Sequence, residues 1–200
     1  MQQAGRIYAA VMAAGESTRY GQSKQLVDIG GESLVSRACR VAGTACGENT
    51  LLVVGHEWRS VLRSSGHRYF VINENYRSGL GSSIAAAARA VRHTASRLLV
   101  TLADQVRVSS ADLERLLALQ RASPDSIAVA RFGEAIGPPV IFPARAFDDL
   151  LSLSGPQGAK AVIESGRYPV VLLDCDNARI DIDRPEDLQA LDDTPENGRG

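Results

Sequence analysis

The sequence predicts an α/β fold built on a largely parallel β-sheet. Short runs of β-branched and aliphatic residues alternate with longer segments of helical periodicity, which is the pattern of successive βαβ units. A chain of 200 residues can bury about 70% of its surface on folding, which is enough for one sizeable core. No flexible linker interrupts the pattern, so residues 1–193 are expected to form a single domain and the polar tail 194–200 to be disordered.

Each element follows from its local pattern. Short aliphatic runs predict strands over residues 7–12, 50–54, 69–72, 97–102, 126–130, 139–142 and 169–173. Apolar residues at helical spacing predict helices over residues 33–45, 56–64, 82–91, 109–121, 144–151, 158–165 and 185–191. The helix at residue 109 opens with Ser-Ser-Ala-Asp, a capping sequence. Residues 179–183 are expected to be extended.

Charge and hydropathy patterning exclude several classes of function. With 22 Lys and Arg against 23 Asp and Glu, the net charge of −1 gives no field that would concentrate a nucleic acid. The longest apolar run, residues 7–14, is far shorter than the roughly 18 residues that a membrane span needs. The three cysteines form no CxxC pair, so buried free thiols are expected. These features predict a cytoplasmic protein with neither a nucleic-acid nor a membrane partner.

A glycine-containing segment with basic residues directly follows the first predicted strand. In VMAAGESTRYGQSK, residues 11–24, Gly15 and Gly21 allow a ligand to approach the backbone closely. The same segment supplies hydrogen-bond donors and positive charge suited to phosphates: Ser17, Thr18, Arg19 and Lys24. Its spacing matches neither the Walker A loop nor the dinucleotide-binding Gly-x-Gly-x-x-Gly pattern. The segment therefore predicts a phosphate-binding loop, with a solvated surface loop as the alternative.

A second candidate segment, NENYRSGLGSS, residues 73–83, follows the third predicted strand. Gly79 and Gly81 precede a serine pair, Ser82 and Ser83, at the start of an Ala-rich helix. Free backbone amides and hydroxyls are expected to face the ligand-binding edge of the sheet there, at the positive end of the helix dipole. Helix capping alone explains the serines equally well.

Carboxylates follow two other predicted strands. Asp104 ends the apolar run LLVTLADQ, and a carboxylate beside a central strand is costly unless a cation meets it. Mg²⁺ beside a nucleotide fits this position, since it takes carboxylate and phosphate oxygens together. In RIDID, period-two alternation places Asp181 and Asp183 on one face, and Asp183 is the favoured second metal ligand. The alternatives are that Asp104 and Asp183 each cap the helix that follows.

Two further segments contain turn-forming residues near predicted strand ends. They are AIGPPVIF, residues 135–142, and GPQGAK, residues 155–160. Turn chemistry explains both about as well as substrate binding does.

Taken in order, these segments resemble the MobA-like nucleotidyltransferase family, and within it the molybdenum cofactor cytidylyltransferase branch. The resemblance is carried by AAGESTRYGQSK, NENYRSGLGSS, LADQ, IGPPVIF and DIDRPEDL, and it spans residues 7–191. The Ala-Ala-Gly sequence resembles the CTP-using branch, whereas the guanylyl branch usually has Gly at the position of Ala14. The resemblance implies a three-layer α/β/α Rossmann-like nucleotidyltransferase fold with a mostly parallel mixed sheet.

The resemblance also implies an activity: Mg²⁺-dependent transfer of CMP from CTP to the terminal phosphate of a molybdopterin-type cofactor, with release of pyrophosphate. Arg19, Lys24 and Asp104 would be catalytic, and Asp104 with Asp183 would hold Mg²⁺. The nucleotide would contact Ala13, Ala14, Gly15, Ser17, Arg19, Lys24, Asn73, Gly79, Ser82 and Ser83. The partners would be a small-molecule nucleotide, a pterin-type or other phosphorylated acceptor, and a molybdoenzyme.

The sequence departs from the family pattern at Val106, Pro156, Gln157 and Arg184. These positions are expected on the acceptor side of the site, so the acceptor is the less determined half of the reaction. Three other functions stay open: a nucleotidyltransferase for another small phosphorylated acceptor, an NAD(P)H-dependent oxidoreductase of a heteroaromatic substrate on the same fold, and a non-catalytic pterin carrier. The presence of Lys24 and Asp104 favours the transferase, since hydride transfer needs no metal-binding carboxylate.

Overall fold

A computed structural model describes residues 5–16 and 23–179 of the chain. In these residues the strands are β1 Ile7–Ala13, β2 Asp28–Ile29, β3 Glu32–Ser33, β4 Thr50–Val54, β5 Phe70–Ile72, β6 Arg97–Leu102, β7 Ile127–Phe132, β8 Ala135–Pro143 and β9 Val170–Asp174. Seven of them form one sheet in the order β5-β4-β1-β6-β8-β7-β9. Only β8 runs antiparallel to its neighbours, so the sheet is mostly parallel and mixed, as predicted.

Helices cover both faces of this sheet. They are α1 Leu34–Cys46, α2 Trp58–Ser65, α3 Leu80–Val91, α4 Ser110–Ala122, α5 Phe147–Leu151 and α6 Lys160–Ile163. Helices α3, α5 and α6 pack on one face, and α1, α2 and α4 pack on the other. The described residues therefore form the predicted three-layer α/β/α arrangement.

Strand β1 shows why the core has two halves. Its side chains alternate along the strand, so that Tyr8, Ala10 and Met12 join the core beneath α3 while the residues between them join the core beneath α1 and α4. All positions from Tyr8 to Ala13 are buried. A strand buried on both faces accounts for the continuous apolar run in the sequence.

The element boundaries agree with the predictions to within a few residues, with three differences. Strand β8 begins at Ala135 rather than at residue 139, because its first half pairs only with β7, where a register shift at Val129/Ala130 accommodates Pro138 and Pro139. A small β2–β3 hairpin and three short 3₁₀ helices were not predicted: Lys24–Leu26, Tyr76–Ser78 and Asp176–Arg179. The predicted helix over residues 144–151 begins as a 3₁₀ helix, Ala144–Ala146, and continues as α5.

Several predicted features lie outside the described residues. They are the greater part of the extended stretch 179–183, the final helix 185–191 and the tail 194–200. Within the described residues, no helix is long and apolar enough to cross a membrane.

Candidate functional site

The predicted phosphate-binding lysine and metal-binding aspartate meet at the centre of the sheet. The chain runs from β1 outward to β4 and β5 and then returns to β6 on the other side of β1, so the strand order reverses between β1 and β6. Ligands bind at such switch points, beyond the carboxyl ends of the strands. There Lys24 Nζ lies 2.5 Å from Asp104 Oδ2, and both side chains are largely buried, with exposed fractions of 16% and 19%. The cation that meets Asp104 in this structure is therefore Lys24.

Lys24 is held in place by its neighbour in sequence. It begins a 3₁₀ helix, Lys24–Leu26, in which the buried Gln25 points back toward β1. The Gln25 side-chain amide donates to the Gly15 carbonyl at 2.8 Å and to the Ala13 carbonyl at 3.4 Å. These bonds connect the residue just after the predicted phosphate-binding segment with residues near the beginning of that segment. Gln25 was not predicted as a site residue, since its only signal in the sequence is its place beside Lys24.

Asp104 does not cap the helix that follows it. The N-cap of α4 is Ser109, whose hydroxyl accepts from the Asp112 amide while the Asp112 carboxylate accepts from the Ser109 amide. This capping box confirms the predicted Ser-Ser-Ala-Asp cap and leaves Asp104 five residues upstream of it. The capping alternative for Asp104 is wrong, so its position at the strand end needs another explanation.

Asn73, Ser82 and Ser83 come together as predicted, but they bind one another. The Asn73 side-chain amide donates to Ser82 Oγ at 2.8 Å and to Ser83 Oγ at 3.0 Å. Its Oδ1 accepts from the Asn75 amide at 3.0 Å. Both amide protons of Asn73 are thus used, and the network fixes the start of α3 against the end of β5.

Two backbone amides at the start of α3, where free amides were expected, are already hydrogen-bonded. The Gly81 amide donates to the Gly155 carbonyl at 3.0 Å, and the Ser82 amide donates to the Gly79 carbonyl. Gly79 has φ 104°, and a Cβ there would lie 2.5 Å from the Gly155 carbonyl carbon. The glycines of NENYRSGLGSS and GPQGAK therefore allow two backbones to pack against each other.

The other residues that were predicted to contact the nucleotide differ in which of their atoms reach the edge of the sheet. The methyl groups of Ala13 and Ala14 are buried in the two cores, so only backbone atoms of these residues reach the sheet edge. Gly15 is exposed, with nothing within 4 Å of a Cβ placed on it. The other predicted site residues, Ser17, Arg19 and Asp183, lie outside the described residues.

The oxygen ligands at the switch point fit part of a magnesium site. Asp104 supplies one carboxylate at the switch point, and Mg²⁺ in nucleotide sites is commonly held by one or two carboxylates together with substrate phosphates. Within residues 5–16 and 23–179, no group of three or more His, Cys, Asp or Glu side chains converges as a metal cage.

An ion pair that was not predicted lies beside the phosphate-binding segment. Arg77, in the 3₁₀ helix Tyr76–Ser78, places its Nε 2.7 Å from Glu16 Oε1. The hydrogen bond from Arg77 lowers the pKa of the Glu16 carboxyl. The pair connects the loop after β1 with the loop after β5, which are far apart in sequence.

One of the departures from the family pattern is part of the core. Val106 is buried against Leu34, and its carbonyl accepts from Arg37 Nε at 3.0 Å. Packing therefore accounts for an apolar residue at this position. Pro156 lies against the start of α3, where its nitrogen would be 2.6 Å from a Cβ at Gly79.

The lysine–aspartate pair lies at the strand-order reversal of a mostly parallel sheet, which is where open α/β sheets bind their ligands. The chain belongs to the family described as the MobA-like NTP transferase domain, which matches residues 9–171. The family predicted from the sequence motifs is therefore confirmed. Its domain is that of a nucleotidyltransferase.

Two curated relatives cover most of the chain. The purine catabolism protein PucB of Bacillus subtilis is 30% identical over 194 residues, which are 90% of this chain and 93% of PucB. Nicotine blue oxidoreductase of Paenarthrobacter nicotinovorans is 28% identical over 198 residues, which are 92% of this chain and 96% of that protein.

Solved structures show the same architecture. A homologue of Mycobacterium tuberculosis Rv0371c from Mycobacterium sp. strain JC1 is 29% identical, with a TM-score of 0.81 over 93% of this chain and 94% of that one. A complex of M. tuberculosis Rv0371c with manganese is 27% identical, with a TM-score of 0.76 over 93% of this chain and 97% of that one. A divalent metal is therefore bound by a relative of this fold.

Proposed function

We propose that this protein transfers CMP from CTP to the terminal phosphate of a molybdopterin-type cofactor and releases pyrophosphate. The observation that carries the proposal is the Lys24–Asp104 contact of 2.5 Å at the strand-order reversal between β1 and β6. One group would neutralise phosphate charge and the other would hold Mg²⁺, and in the structure each neutralises the other. The choice of CTP rests on Ala14 in the Ala-Ala-Gly sequence.

The lysine would act on the leaving group. Displacement at the α-phosphorus needs little covalent help from a protein, so positioning and charge neutralisation supply most of the catalysis. Lys24, together with Arg19, would contact the β- and γ-phosphates and stabilise the charge that builds on departing pyrophosphate. For this, Lys24 Nζ would leave Asp104 and turn to the phosphates.

The aspartate would hold the metal. Asp104, freed from Lys24, and Asp183 would bind Mg²⁺, which supplies charge neutralisation at the phosphates. The manganese complex of the related Rv0371c supports a divalent cation in this family. Asn73, Ser82 and Ser83 would contact the nucleotide from the other side of the crevice through their hydroxyl and carbonyl oxygens, since both amide protons of Asn73 are already used.

The transferase proposal is tested by Asp104→Ala. The variant is expected to release pyrophosphate from CTP and a pterin-phosphate acceptor at least a hundredfold more slowly than the wild type, because it loses the carboxylate that positions the cation. Glu48→Ala, an exposed glutamate in the turn before β4, is the matched control and should keep the wild-type rate. Equal rates for Asp104→Ala and the wild type would contradict the assigned role.

A second candidate is an NAD(P)H-dependent oxidoreductase of a heteroaromatic substrate, which the relative named nicotine blue oxidoreductase favours. Hydride transfer uses no metal-binding carboxylate, so Asp104→Ala would then leave the reaction intact. Oxidation of NADPH with a dye substrate, without any release of pyrophosphate from CTP, would decide for this candidate.

The remaining features stay predictions. The acceptor is either a pterin or another small phosphorylated compound, and a molybdoenzyme would receive a pterin product. A pterin carrier without catalysis would bind the acceptor and release no pyrophosphate. A single domain over residues 1–193 and a cytoplasmic location are likewise predictions from the sequence.

A further inference from the structure

The turn after β4 contains the sole non-glycine residue with positive φ in the part of the chain that the structure describes. Glu57 has φ 46° and ψ 33°, the left-handed conformation, which is unfavourable for a residue with a Cβ other than Asn or Asp. Glycine would occupy this position more easily. Non-glycine residues in such conformations cluster at active sites and ligand-binding segments.

Helix capping does not account for Glu57. It is the N-cap residue of α2, but its side chain makes no capping hydrogen bond. The helix is begun by the Glu57 carbonyl, which accepts from the Ser60 and Val61 amides, and any residue type supplies a carbonyl. The carboxylate instead accepts a hydrogen bond from the hydroxyl of Ser23, which is 34 residues away in sequence and buried.

Ser23 immediately precedes Lys24. It is the N-cap residue of the 3₁₀ helix that contains Lys24, and its hydroxyl makes no capping bond, so it is directed to Glu57. On the other side of Lys24, Gln25 binds the Gly15 carbonyl at 2.8 Å. Lys24 is thus flanked by two side-chain contacts, one to the turn after β4 and one to the loop after β1.

The turn itself is fixed against the loop after β1. The His56 amide donates to the Ala14 carbonyl at 3.1 Å. A Cβ at Gly55 would lie 2.7 Å from the Ala14 carbonyl oxygen and 2.7 Å from Tyr76 Cβ, so the turn has no room to shift toward either. The hydrogen bond from Ser23 to Glu57 therefore anchors the residue next to Lys24 on a turn that is itself held in place.

We propose that Glu57 is a positioning residue, which sets the place of Lys24 on the triphosphate through its hydrogen bond with Ser23. The proposal rests on the proposed function, since it concerns the phosphate-binding role of Lys24. It gives the turn after β4 a function that its sequence, Gly-His-Glu, did not indicate.

The test separates positioning from folding, because removing Glu57 also removes its unfavourable backbone conformation. Glu57→Gly is expected to keep or raise the melting temperature while it raises the KM for CTP or lowers kcat by at least fivefold. Ser23→Ala should show the same kinetic change. Glu57→Gln retains an oxygen that accepts from Ser23, and it should stay within about twofold of the wild type.

A double variant tests whether the effects of Glu57 and Ser23 on the kinetics are coupled. If Glu57 acts through Ser23, Ser23→Ala/Glu57→Gly should be no slower than the poorer single variant. Glu48→Gly, in an exposed turn, and Ser126→Ala, at a serine as buried as Ser23, are the matched controls and should keep wild-type kinetics.

Three results would overturn the proposal: wild-type kinetics in Glu57→Gly, additive losses in the double variant, or kinetic losses matched by a fall in melting temperature. Measurements on the wild-type protein distinguish a failure of the proposed function from a failure of the role assigned to Glu57. If it neither binds CTP nor releases pyrophosphate, the proposed function fails and the role of Glu57 fails with it. If it does both and the variants behave like it, only the role of Glu57 fails.

Discussion

Gly79→Ala tests whether the glycine at the start of α3 is present for packing or for a ligand. Gly79 has φ 104° and ψ −178°, a region that is almost exclusively occupied by glycine. A Cβ there would lie 2.5 Å from the Gly155 carbonyl carbon and 2.6 Å from the Pro156 nitrogen. Both are backbone atoms, so the clash cannot be relieved by rotation of a side chain.

The expected loss of stability has two parts. The backbone conformation costs about 1–3 kcal/mol for a residue with a Cβ. Forcing a methyl group into a filled space costs about 1–3 kcal/mol more. The sum of about 2–6 kcal/mol corresponds to a fall in melting temperature of roughly 5–20 °C for a chain of this length, provided that unfolding is two-state.

The assay is urea and thermal unfolding of the apo-protein, with Gly43→Ala as the matched control. Gly43 lies inside α1 with nothing within 4 Å of an added Cβ. Alanine there should stabilise the protein by about 1 kcal/mol through helix propensity. If Gly79→Ala unfolded at the wild-type temperature and lost only nucleotide binding, the packing explanation would be refuted.

Two further predictions concern titratable groups. Burial raises the pKa of Cys39 to about 12 and that of Cys46 to about 11. Neither thiol should therefore react with a disulfide reagent at pH 8 until the protein is unfolded in urea. Fast reaction of these thiols in the native protein would contradict this prediction. Burial raises the pKa of Asp112, but hydrogen bonds from Ser109 and Asn177 outweigh it and hold that pKa below its usual 3.8. Its carboxylate therefore stabilises the fold above about pH 4 and loses this effect as the pH falls through the folded pKa. Asp112→Asn should cost about 1–2 kcal/mol in urea unfolding at pH 7, and this cost should shrink steadily as the pH is lowered below 4. A cost that stays constant over the whole acid range would show that ionisation is irrelevant.

The order of strands and helices was predictable because each element carries its own pattern. The run of buried residues in β1 and the Ser109 cap of α4 are local signals, and the structure contains both. Asp104 was placed at the end of β6 for the same reason, since the apolar run ends there. Such features need no knowledge of the rest of the fold.

The contacts between distant segments were not predictable in the same way. The Gly81–Gly155 hydrogen bond, the Gln25–Gly15 bond and the Ser23–Glu57 contact each join residues from separate loops, and no local pattern marks these residues as partners. Their roles appear only when the sheet brings separate loops to one edge. The glycines of α3 were interpreted as ligand-facing because sequence spacing does not reveal the backbone that packs against them.

The central claim is that the crevice between β1 and β6 binds a nucleoside triphosphate with Mg²⁺. The most direct measurement is the melting temperature of the wild type and of Asp104→Ala with CTP, GTP, ATP and NADPH, each with and without Mg²⁺. CTP with Mg²⁺ at a hundred times its dissociation constant should stabilise the wild type by about 2.7 kcal/mol, or roughly 5–11 °C, and should do so much less in Asp104→Ala. Stabilisation by NADPH alone, independent of Mg²⁺ and unchanged in Asp104→Ala, would contradict the account.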